Sequence, residues 1–327
     1  MATSPLQDEI EQEALPEELR FHLKYLVPSG TLRASEMQPP AEGKTIICIV
    51  SLFGWTTKNF ILESKAKASE LIDRVYAEMK LTDSVEKDYF SVFFYDRNHK
   101  VFVDPLKSLK DQKVPKLAKG KNPTYSLHFG VKFYLAQPRI MDQYARYLYS
   151  LQLCEDIKAN RVSVDFEMAT KLTALLVQVA VGDYDETKHT AGYTKPLERL
   201  CLVPATYRPT NYEAHLMEEH RKLRGLSCSK AEFQFTERAR QLPCYGCHLF
   251  AAQDENHNSV LVGSSYRGIS VFKEGTEVNF FRWLDMSKIQ YKGKHFFIKH
   301  RSHVETEGSK AEGASPTWHR KRIQYSR

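Results

Sequence analysis

The chain has 327 residues, a formal net charge of +7 and 42% hydrophobic residues. That length exceeds what one hydrophobic core usually organises, so two or three lobes are expected. No run approaches the roughly 18 apolar residues of a membrane span, and the acidic, polar start is unlike a secretion signal. Six cysteines without framework spacing (Cys48, Cys154, Cys201, Cys228, Cys244, Cys247) fit reduced thiols, and the expected location is the cytosol.

Residues 1–42 carry the acidic cluster Asp8, Glu9, Glu11, Glu13, Glu17 and Glu18 and end near Pro39 and Pro40, the composition of a disordered leader. Residues 43–135 read as a first lobe. TIICIVSLFGWTTKNFILES gives a hairpin about Gly54, and ASELIDRVYAEMKL places Leu71, Val75 and Met79 on one helical face. KDYFSVFFYDRNHKVFVDP gives two strands about a polar turn, and YSLHFGVKFYLA gives a closing strand. Hairpin, helix, two strands and a last strand make the order of a ubiquitin-like roll, an α+β fold.

At Pro138 the period changes from two to 3.6, and residues 136–243 read as a bundle of four amphipathic helices. The first runs from about Ile140 to Ala159, with Asp142 and Arg146 as an i, i+4 pair on its polar side. The second is capped by Ser163 and stopped by Gly182. The third and fourth open on the capping boxes Thr210–Glu213 and Ser229–Glu232. From residue 244 to 300 the period returns to two in six short strands, an antiparallel meander. Residues 301–327 show no periodic seam and read as a disordered basic tail.

No catalytic constellation emerges. Gly263 to Arg267 lacks the second glycine of a nucleophile elbow, Gly43-Lys44-Thr45 lacks the upstream glycine of a phosphate loop, and His215 and His220 lack zinc-protease spacing. Cys244 and Cys247 form one CxxC beside His248; without further ligands they read as packing residues at a helix-to-strand junction, and no cofactor is expected. Two surfaces keep a functional reading. Between Arg97 and Lys132 nine basic residues (Arg97, Lys100, Lys107, Lys110, Lys113, Lys116, Lys119, Lys121, Lys132) face only Asp104 and Asp111, a surplus that suits an anionic lipid surface or nucleic acid. The series Lys107, Lys110, Lys113, Lys116 and Lys119 recurs every three residues. The second is the strand Ser287, Lys288, Ile289, Gln290 and Tyr291, whose reading as a binding edge comes from a family resemblance.

The order of lobes, with KDYF, VFVDPLKSLKDQ, HFGVKFY, ARYLYSLQLCEDI, LLVQVAVGDYD, AEFQFTERARQLPCYG, GISVF and FFRWLDMSKIQYKGKHFFIKH, resembles the FERM domain of the band 4.1 superfamily over about residues 43–300. The resemblance implies a cloverleaf: a ubiquitin-like roll, a four-helix bundle like acyl-CoA-binding protein, and a β lobe like pleckstrin-homology and phosphotyrosine-binding domains. That β lobe needs a seventh strand and a closing helix, neither legible after His300, so the third lobe reads as incomplete. The resemblance further implies that Lys292 and Lys294 join the lysine series on a surface for acidic phospholipids and phosphoinositides. In complete relatives a membrane-protein tail adds to the strand at Ser287–Tyr291. The implied function is a non-enzymatic scaffold or adaptor at the inner face of the plasma membrane, linking such tails to the cytoskeleton. The alternative is the regulatory front of a FERM-bearing tyrosine phosphatase. Nucleic acid is not an expected partner, because no recognition motif accompanies the basic patch.

Overall fold

The computed structural model describes residues 44–53, 56–97, 99–119, 122–293, 295–301 and 318–325. The leader and the turn residue Gly54 lie outside the described residues. The chain divides into two compact units. One holds the described residues up to Phe133 with Gln137–Asn160 and Val164–Ala239; the other holds Tyr134–Ala136, Arg161–Ser163 and the described residues from Arg240 onward.

The first unit begins with the hairpin β1 (Thr45–Leu52) and β2 (Thr56–Glu63), in register from Thr45↔Glu63 to Leu52↔Thr56. Strict alternation buries Ile46, Cys48, Val50 and Leu52 on one face of β1. Helix α1 (Ala68–Glu78) buries Leu71 and Val75, with Met79 just beyond its end. Then come β3 (Phe90–Asp96), β4 (His99–Phe102), the short β5 (Lys116–Ala118) and β6 (Thr124–Val131). The sheet order is β2-β1-β6-β3-β4, with β5 paired to β6. The central β1/β6 pair is parallel and the rest antiparallel, as in the expected roll. Phe53, Phe90 and Phe129 meet beneath it at centroid distances of 5.5 to 6.2 Å. β6 stops at Val131, short of the expected Leu135, because the Lys132 and Phe133 amides both donate to the Tyr89 carbonyl and turn the chain away.

The same unit contains α2 (Gln143–Lys158), α3 (Phe166–Val181), α4 (Tyr212–Arg221) and α5 (Cys228–Ala239). α3 packs against α4 and α5, and α2 against α5. α3 is buried almost all round from Ala169 to Ala180, the pattern of a central helix. Several caps differ from expectation. Asp165, not Ser163, caps α3 by accepting from the Met168 amide at 2.7 Å. Asp142 caps α2 through the Ala145 amide at 2.8 Å, and Arg146 reaches Glu232 of α5 at 3.1 Å, so the expected i, i+4 pair does not form. Neither capping box closes. Glu213 accepts from the Gly192 amide and the Thr194 hydroxyl, while Glu232 is committed to Arg146.

Roll and bundle are joined through a buried polar seam. Lys100 of β4 pairs with Asp156 of α2 at 3.4 Å with side chains only 5% and 4% exposed. Gln152 donates to Asp156 at 3.0 Å and accepts from the Val131 amide at 3.1 Å. A Cβ on Gly130 would stand 2.1 Å from the Gln152 Oε1, so glycine is what lets β6 and α2 approach this closely.

The second unit is a seven-stranded antiparallel sheet: β7 (His248–Gln253), β8 (Ser259–Ser264), β9 (Gly268–Lys273), β10 (Thr276–Arg282), β11 (Met286–Lys292), β12 (His295–Arg301) and β13 (Trp318–Tyr325). Their order is β10-β9-β8-β7-β13-β12-β11. Ala252, Val260, Val262, Ile269, Val271, Phe281 and Ile298 form its core, with Met286 and Phe296 against it. A Cβ on Gly268 would lie 2.0 Å from the Phe281 carbonyl oxygen, so β9 and β10 pair closely only through glycine. β13 corrects the reading of residues 301–327 as a wholly disordered tail. The strand pairs with β12 from His295↔Gln324 to Arg301↔Trp318 and touches β7 at Gln324↔Gln253, so the expected gap at the seventh strand is filled. Its sequence, WHRKRIQY, has no apolar alternation; the backbone ladder alone defines it. Among the described residues no helix follows β12.

Candidate functional site

The lysine series lies on the loop between β4 and β6, and its geometry starts from Gln112. The Gln112 side chain accepts from the Asp104 amide at 2.5 Å and donates to the carbonyls of Asp104, Lys107 and Ser108 at 3.0 to 3.2 Å. One amide group thus reaches four backbone groups of a segment that pairs with no strand, its two N–H hydrogens shared among three carbonyls. The first turn of α1 adds a second clamp, because the Ala68 and Ser69 amides donate to the carbonyls of Lys107 and Pro105. Leu109 is buried beneath the loop, and Ser108 bonds Asp111 at 2.7 Å.

On this braced segment Lys107, Lys110, Lys113, Lys116 and Lys119 are all exposed. Lys107 sits 2.8 Å from Asp104, whose hydrogen bond raises the ammonium's pKa and lowers the carboxylate's. Both are solvated, so the pair is worth little. Lys113 adopts the left-handed conformation at φ 57°, ending the 3-10 turn Leu109–Gln112. Lys116 lies 5.8 Å from the Tyr125 ring centroid. Lys100, counted in the sequence with this cluster, is removed from it by its buried pairing with Asp156. Lys292 is exposed at the end of β11 in the second unit, and Lys294 lies outside the described residues.

β11 is the terminal strand of its sheet and pairs only with β12. Ser287, Lys288, Ile289, Gln290 and Tyr291 are all exposed, Tyr291 to 86%. The pairing shifts between Met286 and Lys288, a bulge that turns the start of the strand. One backbone edge of β11 therefore meets no strand among the described residues, the geometry on which an extended peptide can add.

The other groups weighed in the sequence have structural employment. Burial pushes the Cys244 and Cys247 thiols up to about 11, which keeps them protonated at neutral pH. His220 is buried, with its pKa lowered by desolvation. It donates through Nε2 to the Gly182 carbonyl at 2.8 Å, leaving Nδ1 to accept from the Tyr193 hydroxyl at 3.0 Å. His215 stands 2.8 Å from the Asn211 amide. Among the described residues no cluster has the donors for a metal ion, and no helix is long and apolar enough to cross a membrane.

Sequence reasoning found the lysines and the strand at Ser287–Tyr291 but missed Gln112, whose only signal is a lone amide in KDQ. The comparisons decide the family. The chain matches the FERM N-terminal domain over residues 50–115, the FERM central domain over 136–250 and the FERM C-terminal PH-like domain over 254–319. It belongs to the FERM family. The mouse tyrosine-protein phosphatase non-receptor type 4 is 31% identical over 287 residues, 86% of this FERM chain and 30% of the phosphatase. Human protein 4.1 is 30% identical over 297 residues, 89% of this chain and 32% of that protein. The chain thus spans about a third of the length of the curated relatives it matches. Among solved structures, the Drosophila Merlin FERM and C-terminal domain complex superposes with a TM-score of 0.67 at 21% identity, over 86% of this chain and 90% of that one. That likeness establishes the fold.

Proposed function

We propose that this FERM chain is a non-enzymatic adaptor that links cytoplasmic tails of membrane proteins and acidic phospholipids to the cortical cytoskeleton. The observation that supports the reading is the segment between β4 and β6, whose first part is braced by Gln112 and along which five solvated lysines stand. Near an anionic bilayer each lysine contributes about 1 kcal/mol, so several give weak, salt-sensitive attachment. The tail site is β11, where Ser287 to Tyr291 present a strand edge with Ile289 and Tyr291 as side-chain anchors.

The two surfaces lie on different units, so they should fail separately. Lys107→Glu, Lys110→Glu and Lys113→Glu together should stop sedimentation with phosphoinositide vesicles at physiological salt while leaving retention on immobilised tail peptides intact. Ile289→Glu with Tyr291→Glu should do the reverse. Unchanged sedimentation of the triple variant would refute the membrane surface, and unchanged peptide retention of the double variant would refute the tail site.

A second reading is favoured by the 31% identity to a tyrosine phosphatase: the chain acts as the regulatory front of such an enzyme. Transcript sequence beyond the codon for Arg327 separates the two. A downstream His-Cys-x5-Arg segment would favour the phosphatase, and its absence the adaptor.

A further inference from the structure

Leu106 stands on the braced loop, 75% exposed. Its own amide donates to the Asp104 carboxylate at 3.0 Å, and the carbonyls on either side, Pro105 and Lys107, accept from the first turn of α1 at 3.1 and 2.9 Å. The backbone is pinned before, at and after the leucine, and the Gln112 side chain pins the loop from within. With the backbone held there, the Leu106 side chain stays outside the core in which Leu109 is buried. Leu117, between Lys116 and Ala118 on β5, is also exposed, to 63%. Each leucine is thus next to a lysine of the series, and the same short segment carries the other three.

We propose that Leu106, with Leu117 in support, is a membrane wedge: an apolar side chain that enters the interface of an anionic phospholipid bilayer while the flanking lysines hold the headgroups. This rests on the membrane reading of the lysine surface and adds to it a hydrophobic, salt-independent component. The occupant is a bilayer because the five lysines supply charge complementarity to an anionic surface and the leucines beside them supply apolar area that the hydrocarbon boundary of such a surface rewards. A rigid loop also loses no conformational freedom on insertion, which makes a single side chain effective.

The test uses the full chain and vesicles of phosphatidylcholine doped with phosphatidylserine. Leu106→Ala should weaken binding about tenfold, from the apolar area lost, without changing the slope of affinity against salt or the melting temperature. Leu106→Trp should bind at least as well as wild type, and brominated acyl chains should quench its emission beyond that of Trp55, Trp283 and Trp318. If Leu106→Ala binds like wild type while the Lys107, Lys110 and Lys113 reversals lose binding, the wedge is wrong and the lysine surface stands. If neither set of variants changes binding, both readings fall. A change in self-association of Leu106→Ala, with vesicle binding intact, would assign the leucine to a contact between copies and overturn the proposal.

Discussion

Glu232 is buried between α2 and α5 with Arg146 at 3.1 Å and no partner for its second oxygen. Desolvation pushes its carboxyl up to about 7, against the opposing pull of Arg146. The sign follows from linkage. An acid whose folded pKa lies above its unfolded value stabilises the fold fully below the unfolded value, near 4.5, and that contribution is lost as pH rises through about 7. Glu232→Gln cannot ionise, so its unfolding free energy should gain on wild type between those limits, by about 3 kcal/mol at most. Denaturant titrations across that range will read the difference, and parallel profiles would contradict it. Gly130 offers a second residue-level test. Gly130→Ala must displace Gln152 from the Val131 amide and should cost about 1–3 kcal/mol.

At the scale of elements, the seam between β4 and α2 behaves as a buried ion pair. Removing one partner strands a charge, so Lys100→Met alone should destabilise by about 3 kcal/mol, whereas Lys100→Met with Asp156→Leu should restore much of the loss. A double-mutant cycle by thermal unfolding checks this; additive losses would contradict it. The seam also shows where pattern reading runs out. Lys100 looks like one more member of a solvated run because the sequence gives no sign that α2 covers it. The glutamates Glu213 and Glu232 fit capping boxes by spacing, but partners distant in sequence claim them first. By contrast, β1 and α1 were legible because they bury alternate or i, i+4 residues whose apolar period survives in the sequence, and the six strands from β7 to β12 were legible from short apolar or aromatic runs set between polar turns. β13 was not, because three basic residues at its centre, Arg320 to Arg322, leave no apolar alternation and only the ladder with β12 reveals it. Arg322, which faces Phe297 in that ladder, offers the test: Arg322→Pro should remove a donor and raise amide exchange in β12, leaving α3 protected.

For the whole molecule, the five exposed lysines could be listed from the sequence; the side chain that organises them could not. On the proposed reading the site's chemistry is plain ammonium charge, so what matters is presentation, and at the start of the series presentation rests on Gln112 and the first turn of α1. Gln112→Ala should therefore raise amide exchange in residues 104–112 and weaken vesicle binding with every lysine still in place, with little change in melting temperature; unchanged exchange would contradict the bracing role. The β11 edge was legible as a strand, whereas its terminal place in the sheet emerged only from the strand order. In the proposed function, attachment is chiefly electrostatic and resides in this lysine loop. The most direct measurement is the affinity of the intact chain for phosphoinositide vesicles as ionic strength rises. Solvent-exposed charges are screened over about 10 Å at 0.1 M salt. The account predicts a steep fall in affinity for wild type and a much shallower one for the variant carrying Glu at 107, 110 and 113; equal slopes for the two chains would contradict it.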